Sequence, residues 1–181
     1  AATILAARNR NISNFTVFAT QKTVPPALTA LLDDPQLQLD GLLCPGHVSA
    51  IIGAGAYIPF AAKYHIACVV AGFETTDLLT ILIMLARQIG AGEARVDNAY
   101  ARAVSWDGNA RAQQMVAEIF EPCDTEWRGL GLIPGSGLKI REKYREFDAE
   151  ARLGITLSPA GEPKGCLCGN ILKGINNPRQ C

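Results

Sequence analysis

The chain has 181 residues, of which 49% are hydrophobic, and its 17 basic residues balance its 17 acidic ones. This is the composition of a globular protein that can build a core in one good-sized domain plus an appendage. Balanced charge, without a basic run or interleaved aromatic residues, argues against nucleic acid as a partner. The most apolar run, residues 78–85, is far shorter than the roughly 20 residues of a membrane-spanning helix. We therefore expect a buried helix there and no membrane partner.

The N-terminus, AATILAARNR, places its apolar segment before its basic residues, which is the reverse of a secretory signal. It resembles the last turns of an amphipathic helix, so we interpret the chain as a piece of a longer protein. Without an export signal we expect a cytoplasmic protein, whose thiols stay reduced. Clustered cysteines then favour metal or redox chemistry over structural disulfides.

Strands and helices are predicted to alternate from residue 14 to about residue 120. The predicted strands are residues 14–19, 40–44, 65–71 and 95–100, and the predicted helices are residues 23–32, 48–52, 75–88 and 108–120. Nearly all-apolar strands in such an alternation are typical of a parallel sheet covered by helices on both faces, and the predicted fold class is α/β. Thr75, Thr76 and Asp77 are expected to cap the third helix.

After residue 122 the pattern changes. Residues 126–133 resemble a strand, residues 134–137 a turn, and residues 141–152 a charged helical segment. Glycine, proline and cysteine dominate from residue 154, and such a tail cannot build a core alone. We predict three parts: the tail of a preceding helix (1–12), an α/β domain (13–153) and the start of a small cysteine-rich C-terminal domain (154–181).

Two short motifs follow predicted strands, where ligands of parallel sheets collect. His47 follows a Pro-Gly turn and is either an acid, base or ligand in a crevice, or a capping or packing imidazole. Glu74 precedes a helix and is either catalytic or a local cap. Cys44 is either a reactive thiol at the first turn or a buried residue at the end of its strand. Cys68 and Cys123 are expected to be inert.

Three cysteines, Cys166, Cys168 and Cys181, crowd the last sixteen positions. Thiolates in loops bind zinc or iron–sulfur centres, because soft sulfur ligands suit these metals. The spacing differs from a zinc ribbon, which has two C-x2-C knuckles, and three unrelated thiols are the alternative. We expect the tail after about residue 158 to be mobile or held only by neighbouring contacts.

Five motifs, in this order along the chain, together resemble the HypD family of [NiFe] hydrogenase maturation proteins. They are PGHVS (45–49), VAGFE (70–74), EWRGLG (126–131), FDAEA (147–151) and the tail with Cys168, Gly169, Gly174, Pro178 and Cys181. The resemblance implies an internal-to-C-terminal fragment: most of the second α/β domain of the family and the opening of its iron–sulfur domain.

The resemblance also implies a function. The family's proteins are scaffold and redox proteins, rather than stand-alone enzymes, that assemble the Fe(CN)2CO group with a HypC-type small chaperone and a HypE-type cyanide donor. His47 and Glu74 would line the crevice near the iron. Cys168 and Cys181 match ligand positions of a [4Fe–4S] cluster, with Cys166 as a substitute at best. The resemblance implies no stable cluster on this fragment alone.

Two other interpretations stay open from the residues. The first is an α/β enzyme that binds a small anionic substrate at the strand ends and carries a structural zinc in its tail. The second is an interaction module whose cysteines are incidental. One zinc ion per chain without visible absorption would favour the first.

Overall fold

The computed structural model describes residues 1–155, 161 and 163–181. The chain divides into two compact units: Leu32–Gln113 forms one, and Ala1–Leu31 with Gln114–Cys181 forms the other. The domain boundaries predicted after residues 12 and 153 stay a prediction.

The described residues form α-helices, 3₁₀ helices and strands. The α-helices are α1 (Ala2–Asn9), α2 (Val24–Leu32), α3 (Gly46–Ile52), α4 (Ile58–Tyr64), α5 (Thr75–Gly90), α6 (Ala110–Ile119), α7 (Ala149–Leu153) and α8 (Cys168–Leu172). The strands are β1 (Gly41–Pro45), β2 (Ala67–Ala71), β3 (Val96–Asn98), β4 (Phe120–Trp127) and β5 (Gly131–Ile140). The 3₁₀ helices are Ala54–Tyr57, Glu142–Phe147 and Pro178–Gln180.

The unit Leu32–Gln113 contains a parallel sheet with the strand order β1-β2-β3. Val69 of β2 pairs with Leu43 on one side and Asp97 on the other, and every residue of β2 is buried. An uninterrupted apolar strand suits this central position, because helices flank the sheet. The predicted α/β fold with a parallel sheet is confirmed.

The second unit is built on an antiparallel hairpin of β4 and β5. Its core joins Ile4 of α1 to Ile119, Phe120, Tyr144 and Phe147. Residues 14–19 do not form the predicted strand: Val17 makes one isolated bridge to Asp148. Their strand-like composition has another cause, since Phe15 and Val17 pack against this core.

The hairpin places its turn differently from the prediction. The chain reverses at residues 128–130, with Gly129 at φ 80° and Gly131 at φ 72°, so the predicted strand 126–133 is wrong. The predicted turn 134–137 lies inside β5, where the register slips opposite β4 between Cys123 and Thr125. Asp124 accepts a hydrogen bond from the Gly135 N–H at 2.9 Å. Residues 134–137 therefore form a β-bulge-like irregularity within β5 and do not reverse the chain.

The helix α5 is not buried all round, contrary to the prediction. Ile81 packs on Val69 and Ala71 of the sheet, but Leu79 and Leu82 are 58% and 59% exposed. Among the described residues, no helix has both the length and the apolar character needed to cross a membrane.

Candidate functional site

The first two strands of the parallel sheet end side by side, and the turns after them form the candidate site. Pro45, the last residue of β1, pairs with Ala71, the last residue of β2. A Cβ atom on Gly46 would lie 2.2 Å from the Ala71 carbonyl oxygen. Glycine at this position therefore allows α3 to begin against β2. Both motifs lie at one edge of the sheet, as predicted.

His47 lies on the surface of the first turn. Its ring centroid is 5.2 Å from that of Phe73 on the second turn, and the two planes are tilted by 42°. Both residues are exposed, Phe73 to 59%. No side chain caps α3, which begins after Pro45, so the capping interpretation of His47 is wrong. The ring packs on Phe73 but stays exposed, so a packing imidazole and a ligand, acid or base in a crevice both stay as interpretations of His47.

Arg102 joins the carboxylates of Glu74 and Asp77. Its Nη2 atom lies 2.7 Å from Glu74 Oε2 and 2.6 Å from Asp77 Oδ2. Its Nη1 atom donates to Asp77 Oδ1 at 3.0 Å, so Asp77 is bound by both arms of the guanidinium. The guanidinium carbon lies 4.3 Å from the ring centroid of Tyr100, which is the distance of a cation–π contact. Glu74 is thereby held by a positioned cation.

The three charged groups differ in exposure. The Asp77 side chain is 10% exposed, whereas Arg102 is 53% and Glu74 is 60% exposed. Hydrogen bonds from Arg102 lower the pKa of Asp77 from 3.8 to about 2. Pairing with Asp77 in turn raises the pKa of Arg102. Two carboxylates and one guanidinium together carry a net negative charge. Glu74 is the more exposed of the two carboxylates.

Gly72 makes room for this cluster. A Cβ atom on Gly72 would lie 1.9 Å from Asp77 Oδ2 and 2.8 Å from Glu74 Oε2. Any side chain at this position would push the carboxylates away from Arg102. The glycine of the VAGFE motif therefore has a steric role in positioning Glu74.

Arg102 and Tyr100 were not predicted as site residues from the sequence, and the capping role predicted for Asp77 is wrong. The N-cap of α5 is Glu74, which makes no capping hydrogen bond through its side chain, and the expected caps at residues 75–77 lie within the helix. Asp77 binds Arg102 instead. The position of Arg102 in the sequence could have predicted it as a site residue. Strand β3 ends at Asn98, and residues just after a parallel strand lie at the same sheet edge as the other two turns.

The tail cysteines lie in the other unit. Cys166 and Cys168 are neighbours at the start of α8, and a hydrogen bond between the two thiols raises the pKa of Cys168. Arg128 acts on the pKa of Cys168 in the opposite direction. Cys181 is exposed, and all three cysteines are free thiols.

Two glycines dock the tail on the hairpin turn. A Cβ atom on Gly169 would lie 2.4 Å from the Gly129 carbonyl oxygen, and one on Gly129 would lie 2.3 Å from the Gly169 nitrogen. The two backbones thus touch directly, which brings Arg128 beside Cys168. Residue 158, where the predicted loosely held tail begins, lies outside the described residues.

The remaining cysteines have other surroundings. Cys44 and Cys68 are buried on β1 and β2. A hydrogen bond with Cys68, together with burial, raises the pKa of the Cys44 thiol. Cys44 is therefore a buried strand residue, and the reactive-thiol interpretation is wrong. Burial also raises the pKa of Cys123.

The profile of HypD, described as the hydrogenase formation hypA family, matches residues 1–181. The chain belongs to the HypD family. It is 44% identical to hydrogenase maturation factor HypD of Azotobacter vinelandii over 181 residues, which are 97% of this chain and 48% of that protein. It is 40% identical to HypD of Cupriavidus necator over 185 residues, with 98% and 49% of the two chains covered. It is 41% identical to HypD of Escherichia coli over 184 residues, with 100% and 49% covered.

The chain therefore spans about half the length of these HypD relatives, and the predicted membership of the family is confirmed. In this HypD chain the motifs of His47 and Glu74 meet at one sheet edge, through the contact of His47 with Phe73. The motif that begins at Glu126 and the cysteine tail meet at Gly129 and Gly169.

The tail thiols fit part of an iron–sulfur site. Cys168 is a half-buried free thiol and Cys181 an exposed one, and the hydrogen bond with Cys166 raises the pKa of Cys168. A [4Fe–4S] cluster is generally held by four thiolates. Within residues 1–155, 161 and 163–181, no three histidine, cysteine or acidic side chains are grouped to hold a metal ion. Thiols are suitable donors for such a cluster, and a cluster held here would need further ligands.

Proposed function

We propose that this chain is the half of a cytoplasmic hydrogenase maturation factor that forms one wall of the site for assembling the Fe(CN)2CO group. Family membership supports this, since the curated relatives are named hydrogenase maturation factors. The proposal rests chiefly on one observation: an exposed imidazole and an exposed, cation-held carboxylate lie on adjacent turns at the carboxyl ends of parallel strands. Such edges are where ligands of α/β proteins bind.

The side chains suit a cyanide-bearing iron group as the bound cargo. A cyanide nitrogen accepts hydrogen bonds, and the His47 imidazole and the exposed part of Arg102 are donors. Glu74 accepts protons or hydrogen bonds, and its distance of 2.7 Å from Arg102 orients it. In this proposal His47 and Glu74 hold and move protons, while Arg102 positions Glu74 and is a further donor to the cargo. A HypC-type small chaperone would share the iron, and a HypE-type protein would deliver the cyanide.

A [4Fe–4S] cluster in the full-length protein would supply electrons for the assembly. Cys168 and Cys181 would be two of its thiolate ligands, and Cys166, which lies beside Cys168, would be a substitute third. The other ligands would come from the part of HypD that this chain does not cover. The protein is then a maturation scaffold with a redox role.

Replacing Glu74 in a full-length HypD protein that contains this chain tests the site. We expect Glu74→Gln to abolish hydrogenase maturation while the thermal midpoint stays within a few degrees, because an exposed ion pair contributes little to stability. Glu142→Gln is the matched control, since Glu142 is also an exposed carboxylate paired with an arginine, at 3.3 Å from Arg145. Maturation that persists in Glu74→Gln, or falls equally in both variants, contradicts the proposed site.

Iron and sulfide counting after anaerobic reconstitution tests the cluster. The full-length protein should bind about four irons, and Cys168→Ala or Cys181→Ala should remove them. Cys123→Ala is the control, because Cys123 lies on the hairpin and should leave the iron content unchanged. The 181-residue chain alone should not hold a stoichiometric cluster. A stable cluster on this chain alone would overturn the ligand assignment.

A further inference from the structure

The outward face of α5 is an apolar stripe. Leu79, Leu82, Ile83 and Ala86 follow the i, i+3, i+4, i+7 spacing of one helix face. The three large side chains are 58%, 59% and 53% exposed. On the opposite side Ile81 and Gln88 are fully buried, and the partly buried Met84 and Leu85 pack against the sheet. The helix is therefore apolar on the side turned to solvent as well as on the side turned to the core.

We expect another apolar surface to pack on this stripe. A helix that is hydrophobic all round is normally buried, and contiguous apolar patches on a protein surface mark interaction sites. The stripe residues carry no charge and no side-chain hydrogen-bonding group, so the cover must itself be apolar. Permanent interfaces have this character, whereas transient ones are more polar.

We infer that the stripe of α5 (Leu79, Leu82, Ile83 and Ala86) docks the half of the HypD chain that this sequence does not cover. The relatives contain about as much chain again, since the matches cover 48% to 49% of their length. The stripe begins one turn after Glu74, the N-cap of α5.

Hydroxyl-radical footprinting tests this inference on the 181-residue chain and on a full-length HypD protein that contains it. We expect the oxidation rate of the stripe leucines to fall at least about fivefold in the full-length protein, because side chains that are 53–59% exposed become almost inaccessible in the core of an interface. Leu132 and Leu153, which are 63% and 59% exposed, report whether protection is specific to α5.

A double variant, Leu79→Gln/Leu82→Gln, tests the contact directly in the full-length protein. Ile83 is the reporter, and its oxidation rate should rise to that in the 181-residue chain alone. Leu132→Gln is the matched control and should leave Ile83 protected. Far-ultraviolet circular dichroism of each variant shows whether the fold is kept, and the wild-type footprint tests the inference even if the double variant fails to fold.

Three results would overturn the inference. In the first, the stripe is as reactive in the full-length protein as in the 181-residue chain. In the second, it is protected in the 181-residue chain in proportion to protein concentration, which identifies a second copy as the cover. In the third, protection in the full-length protein requires an added small chaperone, which identifies a separate partner.

Discussion

Removing the guanidinium of Arg102 should release the acidic pair at the candidate site. Arg102 donates to both oxygens of Asp77, at 3.0 Å and 2.6 Å, and to Glu74 at 2.7 Å. In Arg102→Gln these charge-assisted hydrogen bonds are lost, and two like charges remain close together. The carboxylate that changes most should be Asp77, because it is the less exposed of the two and binds both arms of the guanidinium.

The size of the change follows from the pKa of Asp77. Hydrogen bonds from Arg102, and after them hydrogen bonds with Glu74, lower this pKa from an ordinary value of 3.8 to about 2. In Arg102→Gln we expect the pKa of Asp77 to rise, because the group that lowers it most is removed. A depressed pKa in the folded state means that the ionised form stabilises the fold, so the contribution is present above pH 3.8 and is lost as the pH falls towards 2. Stability of the wild type and the variant should therefore converge at low pH.

Carbon-13 NMR titration of the side-chain carboxyl groups measures this pKa in each protein. Arg87→Gln is the matched control: it removes a cation from the same helix, ten residues or about 15 Å along the axis from Asp77. An Asp77 pKa that stays near 2 in Arg102→Gln would show that Arg102 does not hold this carboxylate. An equal rise in Arg87→Gln would show a general effect of net charge rather than the specific contact.

Two further predictions concern the hairpin unit and its tail. Gly169→Ala should undock the tail from Gly129 and speed the reaction of the tail thiols with a thiol reagent, because the new Cβ atom would lie 2.4 Å from a backbone oxygen. The control is Gly90→Ala, because a Cβ atom at Gly90 would meet open space. This variant should stabilise the protein by up to about 1 kcal/mol in thermal unfolding. If the tail thiols reacted at the same rate in Gly169→Ala and Gly90→Ala, the docking of the tail on Gly129 would be contradicted. Ser136→Ala should lower the free energy of unfolding by about 1–3 kcal/mol in urea titration, since the buried hydroxyl accepts from Trp127 Nε1 at 2.8 Å and donates to a backbone oxygen. A loss well below this range would mean that water replaces the hydroxyl.

The parallel sheet and its edge could be predicted from the sequence. Uninterrupted apolar runs specify buried strands, and the chemistry of residues 45–47 and 72–74 specifies turns after them. Parallel strands bring their carboxyl ends to one edge, so the meeting of His47 with the turn of Glu74 followed from local patterns alone. The five family motifs predicted membership of the HypD family and, with it, the expected function.

Only the tertiary structure shows which residues far apart in the sequence contact each other. Glu74 and Arg102 are 28 positions apart, and no periodicity links an arginine after one strand to a carboxylate after another. The hairpin reverses at Gly129, and residues 134–137 stay within β5, where the Gly135 N–H donates to Asp124. Which of the two glycine-containing segments forms the turn depends on the register of β4 and β5. The apolar pattern of α5 indicated burial on both sides, but only the fold shows that one side meets the sheet and the other meets solvent. Local sequence specifies which elements form, whereas the pairing of their side chains depends on the space left when those elements pack.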